Sequence, residues 1–119
     1  MSFKLNHLHL KTPDPKATAQ FYVDTLGAAI VAEIPGRGVR LNLHGLTINM
    51  TTLVQEQARE QAYGMEHIAI DTDDFAGTIE KLTAHGATVM EEMVSGSGRK
   101  VCFLTGPDGV QFEILQMQS

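Results

Sequence analysis

Five side chains in this sequence stand where they could together hold a metal ion or move a proton. They are His7 and His9 in LNHLHL, His67 in MEHIAI, Asn49 in GLTINM and Glu113 in GVQFEI. His7 and His9 are two residues apart. In a β-strand such residues point to the same side, so both imidazoles face one way while Asn6, Leu8 and Leu10 face the other. Alone, a strand histidine is most often a partly buried residue with no special task. Joined by a second imidazole and a carboxylate from elsewhere, it becomes a 2-His-1-carboxylate set. Such a set suits a divalent ion (Fe, Mn, Zn, Ni or Co) with coordination positions left open.

The elements that must position these groups are written twice in the chain. The stretch beginning LNHLHLKTPDPKATAQ at Leu5 aligns with MEHIAIDTDDFAGTIE at Met65. His7 falls on His67, Thr12 on Thr72 and Asp14 on Asp74. After a one-residue slip LGAAIV falls on HGATVM, matching Gly27 with Gly86. GLTINM then falls on GVQFEI, which matches Gly45 with Gly109 and Asn49 with Glu113. His9 matches Ala69, so the duplicated histidine is His7, and His9 is its neighbour on the same face.

Each half predicts β-α-β-β-β. Alternating strands open the halves at 4–11 and 65–71. Asp14 and Asp74 stand where a carboxylate can accept orphan N–H groups at a helix start, and Pro15 suits the first turn. Ala19, Tyr22, Val23 and Leu26 have helical spacing, as do Phe75, Ile79 and Leu82. Gly27 and Gly86 end the helices. Three strands follow in each half, near 28–34, 38–44 and 46–52, then 87–94, 99–104 and 110–116, with PGRG, HG, SGSG and GPDG as turns. Residues 53–64, LVQEQAREQAYG, read as a short helix or ordered surface linker. The expected organisation is module one at 1–52, the linker, and module two at 65–119. If the modules pair with pseudo-two-fold symmetry, their sheets form a cup with His7, His67, Asn49 and Glu113 around its axis.

The bulk properties narrow the field. The chain has 119 residues, 43% of them apolar, and a formal charge of −5. It has no Lys/Arg cluster, so no nucleic-acid or anionic-membrane partner is expected. No apolar run is long enough to cross a bilayer, and no secretory pattern opens the chain; a cytoplasmic location is the expectation. The lone Cys102 excludes an internal disulfide and a Cys-based zinc site.

On LNHLHL, FYVDTLGA, MEHIAID and GPDGVQFEILQ, the chain resembles the vicinal oxygen chelate superfamily, also called the glyoxalase/bleomycin-resistance/dioxygenase family. The resemblance covers nearly the whole chain. It implies an α+β glyoxalase-like fold: two βαβββ modules in pseudo-two-fold pairing, forming a cup-shaped mixed β-sheet with a metal between them. The family's first-strand His falls on His7, its fifth-strand His on His67 and its last-strand Glu on Glu113. There is one departure. Glyoxalase I lyases carry Glu at the end of the first module, where this chain has Asn49, an amide that offers an uncharged oxygen and cannot act as a base. The remaining triad is similar to that of extradiol dioxygenases and of fosfomycin thiol transferases, although the latter place a Thr where this chain has His9.

The resulting expectation is a divalent-metal-dependent, glyoxalase-I-like lyase or epimerase acting on a small oxygen-chelating substrate, with the chain as a homodimer. His7, His67, Glu113 and Asn49 are its metal residues, and Glu113 and His9 its proton carriers. The alternatives are an extradiol-type dioxygenase or thiol transferase on the same triad, and a resistance-type protein that binds its ligand without turnover. Outside the set, His44 is read as a turn residue, His85 as suited to a helix C-terminus, and Cys102 and Tyr22 as packing. Arg37, Arg40, Arg99 and Lys100 are read as solvated cations that could meet an anionic substrate.

Overall fold

A computed structural model describes residues 1–118. Among them are eight strands and two α-helices, an α+β arrangement that runs βαβββ twice. The strands are β1 (Phe3–Lys11), β2 (Ala29–Ile34), β3 (Gly38–Leu43), β4 (Leu46–Thr51), β5 (Gly64–Thr72), β6 (Thr88–Val94), β7 (Lys100–Thr105) and β8 (Gln111–Gln116). Helix α1 (Pro15–Leu26) follows β1, and α2 (Phe75–Ala84) follows β5.

The helix boundaries have identifiable causes. Asp14 Oδ1 accepts from the Ala17 N–H at 3.2 Å and Asp74 Oδ1 from the Gly77 N–H at 3.0 Å, each cap being worth about 1 kcal/mol. Helix α1 stops at Gly27, whose φ of 74° favours a residue without a Cβ. The duplication extends to single hydrogen bonds. The Thr12 and Thr18 hydroxyls are 2.7 Å apart, and so are those of Thr72 and Thr78. The first antiparallel pair of each half shifts register at the same repeat position, between Ile30 and Ala32 and between Val89 and Glu91.

Packing divides the chain into two compact units. The unit His7–Glu66 has strand order β2-β3-β4-β1, with β1 parallel to β4 and the other pairs antiparallel. Leu8 and Leu10 pack with Ala19, Tyr22 and Val23 of α1 and with Val39, Leu41, Ile48 and Met50. By alternation His7, His9 and Lys11 occupy the face turned from α1. Leu26, expected among the packed residues, is 51% exposed at the last residue of α1.

The other unit joins Met1–Asn6 to the chain from His67 onward, in the order β5-β8-β7-β6 with β5 parallel to β8. The first residues are tied to it by Ser2 N–H donating to Asp73 Oδ1 at 2.7 Å and Asn6 Nδ2 donating to Asp71 at 3.0 Å. Ile70 packs with Phe75, Ile79 and Leu82 beneath α2. The opposite face is an apolar floor of Ala69, Val101, Phe103 and Leu115, edged by Met90 and Met93.

Of the two alternatives for segment 53–64, the structure shows the linker and not the helix, and the segment is not wholly on the surface. The Gln61 side chain bonds both backbone groups of Val54, accepting from its N–H at 2.8 Å and donating to its carbonyl at 2.6 Å. That contact replaces bonds a helix would have made. Arg59 from the same segment is buried.

Candidate functional site

In the first unit, β1 supplies His7, which is buried, and His9, which is half-buried. Their ring centroids are 5.5 Å apart with the planes tilted by 59°. The two imidazoles therefore share a face, as their spacing requires. His9 Nε2 and Thr51 Oγ1 are hydrogen-bonded at 2.7 Å. That bond holds the ring in one orientation, and its direction sets which ring nitrogen carries the proton. Asn49 of β4 lies opposite His9 in the ladder. Its Oδ1 accepts from Arg40 Nε at 2.9 Å.

Lys11 extends the His7, His9 series by one more step and is 2% exposed. Its ammonium donates to Gln57 Oε1 at 3.3 Å and to Gln61 Oε1, and it lies 3.5 Å from Glu66 Oε2. Arg59 donates to Glu66 Oε1 at 2.8 Å, with both side chains fully buried. Segment 53–66 thus folds onto the face that carries the histidines, clamped by charges that must stay paired in a low-dielectric setting. Sequence reasoning missed this network. The signal available was Lys11 at the third position of the i, i+2 series.

In the second unit, His67 of β5 is 3% exposed, and its Nε2 lies 3.1 Å from Glu113 Oε1 of β8. The Phe103 ring meets the His67 ring edge-on, with centroids 5.3 Å apart, and walls one side. Glu113 lies opposite Ala69 on one neighbouring strand and Phe103 on the other. The donor set passes a simple geometric test for one shared ion. Two ligand atoms, each about 2.1 Å from a metal and at a right angle, stand about 3 Å apart. The His67–Glu113 separation has that value, and a nitrogen with a carboxylate oxygen suits a borderline divalent ion.

The remaining residues have structural contacts elsewhere in the fold. His44 has a φ of 53° beside Gly45, and its Nε2 bonds the Leu26 carbonyl at 2.7 Å, which anchors the turn to the end of α1. His85 ends α2, with Nδ1 bonded to the Lys81 carbonyl at 2.9 Å. Cys102 is fully buried in the core under α2; burial, with a smaller effect from Glu92, pushes its thiol up to about 11. Arg37 pairs with Glu56 at the surface, and Arg99 pairs with the half-buried Asp71 at 2.7 Å.

The sequence model of the family described as the Glyoxalase/Bleomycin resistance protein/Dioxygenase superfamily matches residues 4–114. The lactoylglutathione lyase of Haemophilus influenzae is 30% identical to this chain, over 95% of this chain and 92% of its own length. An ethylmalonyl-CoA/methylmalonyl-CoA epimerase of Cereibacter sphaeroides is 28% identical, over 88% of this chain and 90% of its own. The lactoylglutathione lyase of Arabidopsis thaliana and a related Brassica oleracea protein are 26% identical to this chain, which spans 43% of their length. Among solved structures, a hypothetical protein from Bacillus halodurans C-125 superposes with a TM-score of 0.74 at 22% identity, covering 100% of this chain and 97% of that one. The methylmalonyl-CoA epimerase of Mycobacterium tuberculosis superposes with a TM-score of 0.69 at 17% identity, covering 97% and 88%. At these identities the structural likeness establishes the fold.

Proposed function

Because this chain belongs to the glyoxalase/bleomycin resistance protein/dioxygenase superfamily, we propose that it is a divalent-metal-dependent lyase or epimerase of the glyoxalase I kind. Its substrate is a small molecule that chelates through neighbouring oxygens. The observation that carries the reading is the pair of buried His67 and half-buried Glu113, spaced as neighbouring ligands of one ion would be. His7 holds the position in its own unit that His67 holds in the repeat. Asn49, expected as a fourth residue of the set, accepts a hydrogen bond from the Arg40 guanidinium and keeps a second lone pair on its carbonyl oxygen.

When bound, the ion supplies a Lewis acid that draws charge from a substrate carbonyl. The chain's own residues then do the proton work. In this chemistry a base removes the hydrogen beside the carbonyl and returns it, to a neighbouring atom in a lyase or to the opposite face in an epimerase. Glu113 is the carboxylate for that step. His9 is the second proton carrier, held by Thr51 so that its ring needs no reorientation. Within the second unit, Phe103 and the apolar floor line the face that carries His67 and Glu113. Lyase and epimerase names recur among the relatives, which supports this reading.

The test is solvent exchange. Protein supplied with a divalent metal is incubated in D2O with lactoylglutathione and with methylmalonyl-CoA, and loss of the C–H signal beside the carbonyl is followed by NMR. Exchange with one substrate, abolished by chelator and by Glu113→Gln, is the expected result. Exchange that survives both treatments contradicts the assignment. The reading also includes a homodimer, for which light scattering should give about twice the 13.0 kDa chain mass; a monomer at micromolar concentration contradicts it.

A further inference from the structure

The face of the first unit that carries His7 and His9 also holds a cation with no task in the chemistry above. Arg40 lies mid-way along β3, and its side chain is exposed. Its Nε donates to the buried Asn49 at 2.9 Å. Among the described residues, no carboxylate forms an ion pair with it. Arg40 lies opposite Asn49, and Asn49 opposite His9, so the three form one row across β3, β4 and β1. Neighbouring strands are about 4.8 Å apart, which puts the Arg40 and His9 backbones about 10 Å apart on a common face.

The second unit shows what this row replaces. There the equivalent row reads Phe103, Glu113, Ala69. One copy of the repeat thus carries an acid beside an aromatic ring, and the other a neutral amide beside a guanidinium. If Arg40 served only to neutralise its cross-strand neighbour, the repeat position that supplies a carboxylate in the second unit would have supplied one here. Asn49 instead accepts a hydrogen bond and leaves the positive charge uncompensated. With Nε committed, the guanidinium plane is fixed, and the paired Nη edge presents two parallel N–H donors of the spacing that matches a carboxylate or phosphate. A cation already held in place loses little freedom when a ligand arrives.

We propose that Arg40, positioned by Asn49, is an oxyanion anchor. It receives a carboxylate or phosphate carried by the substrate, whose reacting end lies toward His9 in the same row. The site therefore takes small anionic molecules. This inference rests on the proposed metal reading for the place of the reacting end, and on the Arg40 geometry alone for the anion.

The experiment titrates wild-type, Arg40→Gln and Arg40→Lys protein with three probes: pyruvate, its uncharged methyl ester, and inorganic phosphate. Binding is read by calorimetry, and in the wild type also by the NMR signal of the Arg40 Nε–H group. Pyruvate or phosphate should bind at least about tenfold more weakly to Arg40→Gln. Arg40→Lys should recover part of the loss, the methyl ester should bind both proteins alike, and the Nε–H signal should shift with the anion. A loss confined to phosphate identifies the anchored group as a phosphoryl group, and a loss confined to pyruvate identifies it as a carboxylate. Anion affinities within about twofold across the three proteins, or no Nε–H shift at about 10 mM of either anion, overturn the proposal. Metal content of the same samples is measured separately. Failure to hold metal would remove the metal reading and leave an Arg40-dependent anion site standing. A normal metal content with no anion effect would do the reverse.

Discussion

Replacing Glu66 with Gln should destabilise the chain far more than an isosteric change normally does. Glu66 is fully buried, 2.8 Å from Arg59 Nη2 and 3.5 Å from Lys11 Nζ. The substitution keeps the shape and removes the charge, so two buried cations face a neutral amide. Breaking a buried pair in this way costs about 3–5 kcal/mol. For 119 residues, an unfolding entropy of about 2.1 cal/mol/K per residue gives about 0.25 kcal/mol/K. Each kcal/mol is then worth about 4 °C, and the predicted fall in Tm is about 12–20 °C. Differential scanning calorimetry at neutral pH measures it, and raising the salt should change the difference little because buried charges are poorly screened. Glu56→Gln is the control. Its bond to Arg37 is also 2.8 Å, but the side chains are 49% and 65% exposed, so the loss should stay within about 1 kcal/mol. A Glu66→Gln protein that melts within about 4 °C of the wild type would refute the idea that segment 53–66 is clamped by this network.

Two further outcomes follow from the site and the core. His7→Ala should abolish metal binding while His9→Ala leaves it largely intact, because only His7 is duplicated; equal losses by metal titration would mean that the repeat singled out the wrong histidine. The Cys102 thiol is raised from its ordinary 9.0 to about 11, chiefly by burial, so the folded chain holds that proton more tightly than the unfolded one. Its contribution is complete below about pH 9 and is lost as the pH rises toward 11, on the order of 2–3 kcal/mol in all. Denaturant melts of wild type and Cys102→Ala across that window should show this slope only in the wild type.

Most of the elements were legible because their signals are local. Period-two alternation marked β1 and β5. Aspartates marked the helix starts and glycines their ends. The repeat aligned His9–Asn49 with Ala69–Glu113, and the ladders place both pairs directly opposite. The illegible parts depend on partners distant in sequence or on chemistry that ordinarily stays in water. Lys11 and Glu66 meet across 55 residues, and long charged side chains are read as solvated unless a partner is known. The Gln- and Glu-rich composition of 53–64 favours a helix, but its glutamines bond backbone and buried charge instead. Arg40 reads from sequence only as a solvated cation; its hold on Asn49 follows from the β3–β4 register, which composition does not reveal.

The central claim is the proposed divalent ion at His67 and Glu113. Its most direct test is metal stoichiometry after chelator treatment and reloading, measured by elemental analysis on wild-type and Glu113→Gln protein at equal concentration. One ion per wild-type chain, with greatly weakened uptake in Glu113→Gln, is the predicted result. Wild-type protein that takes up no stoichiometric metal, or Glu113→Gln protein that binds it as well as the wild type, would contradict the account.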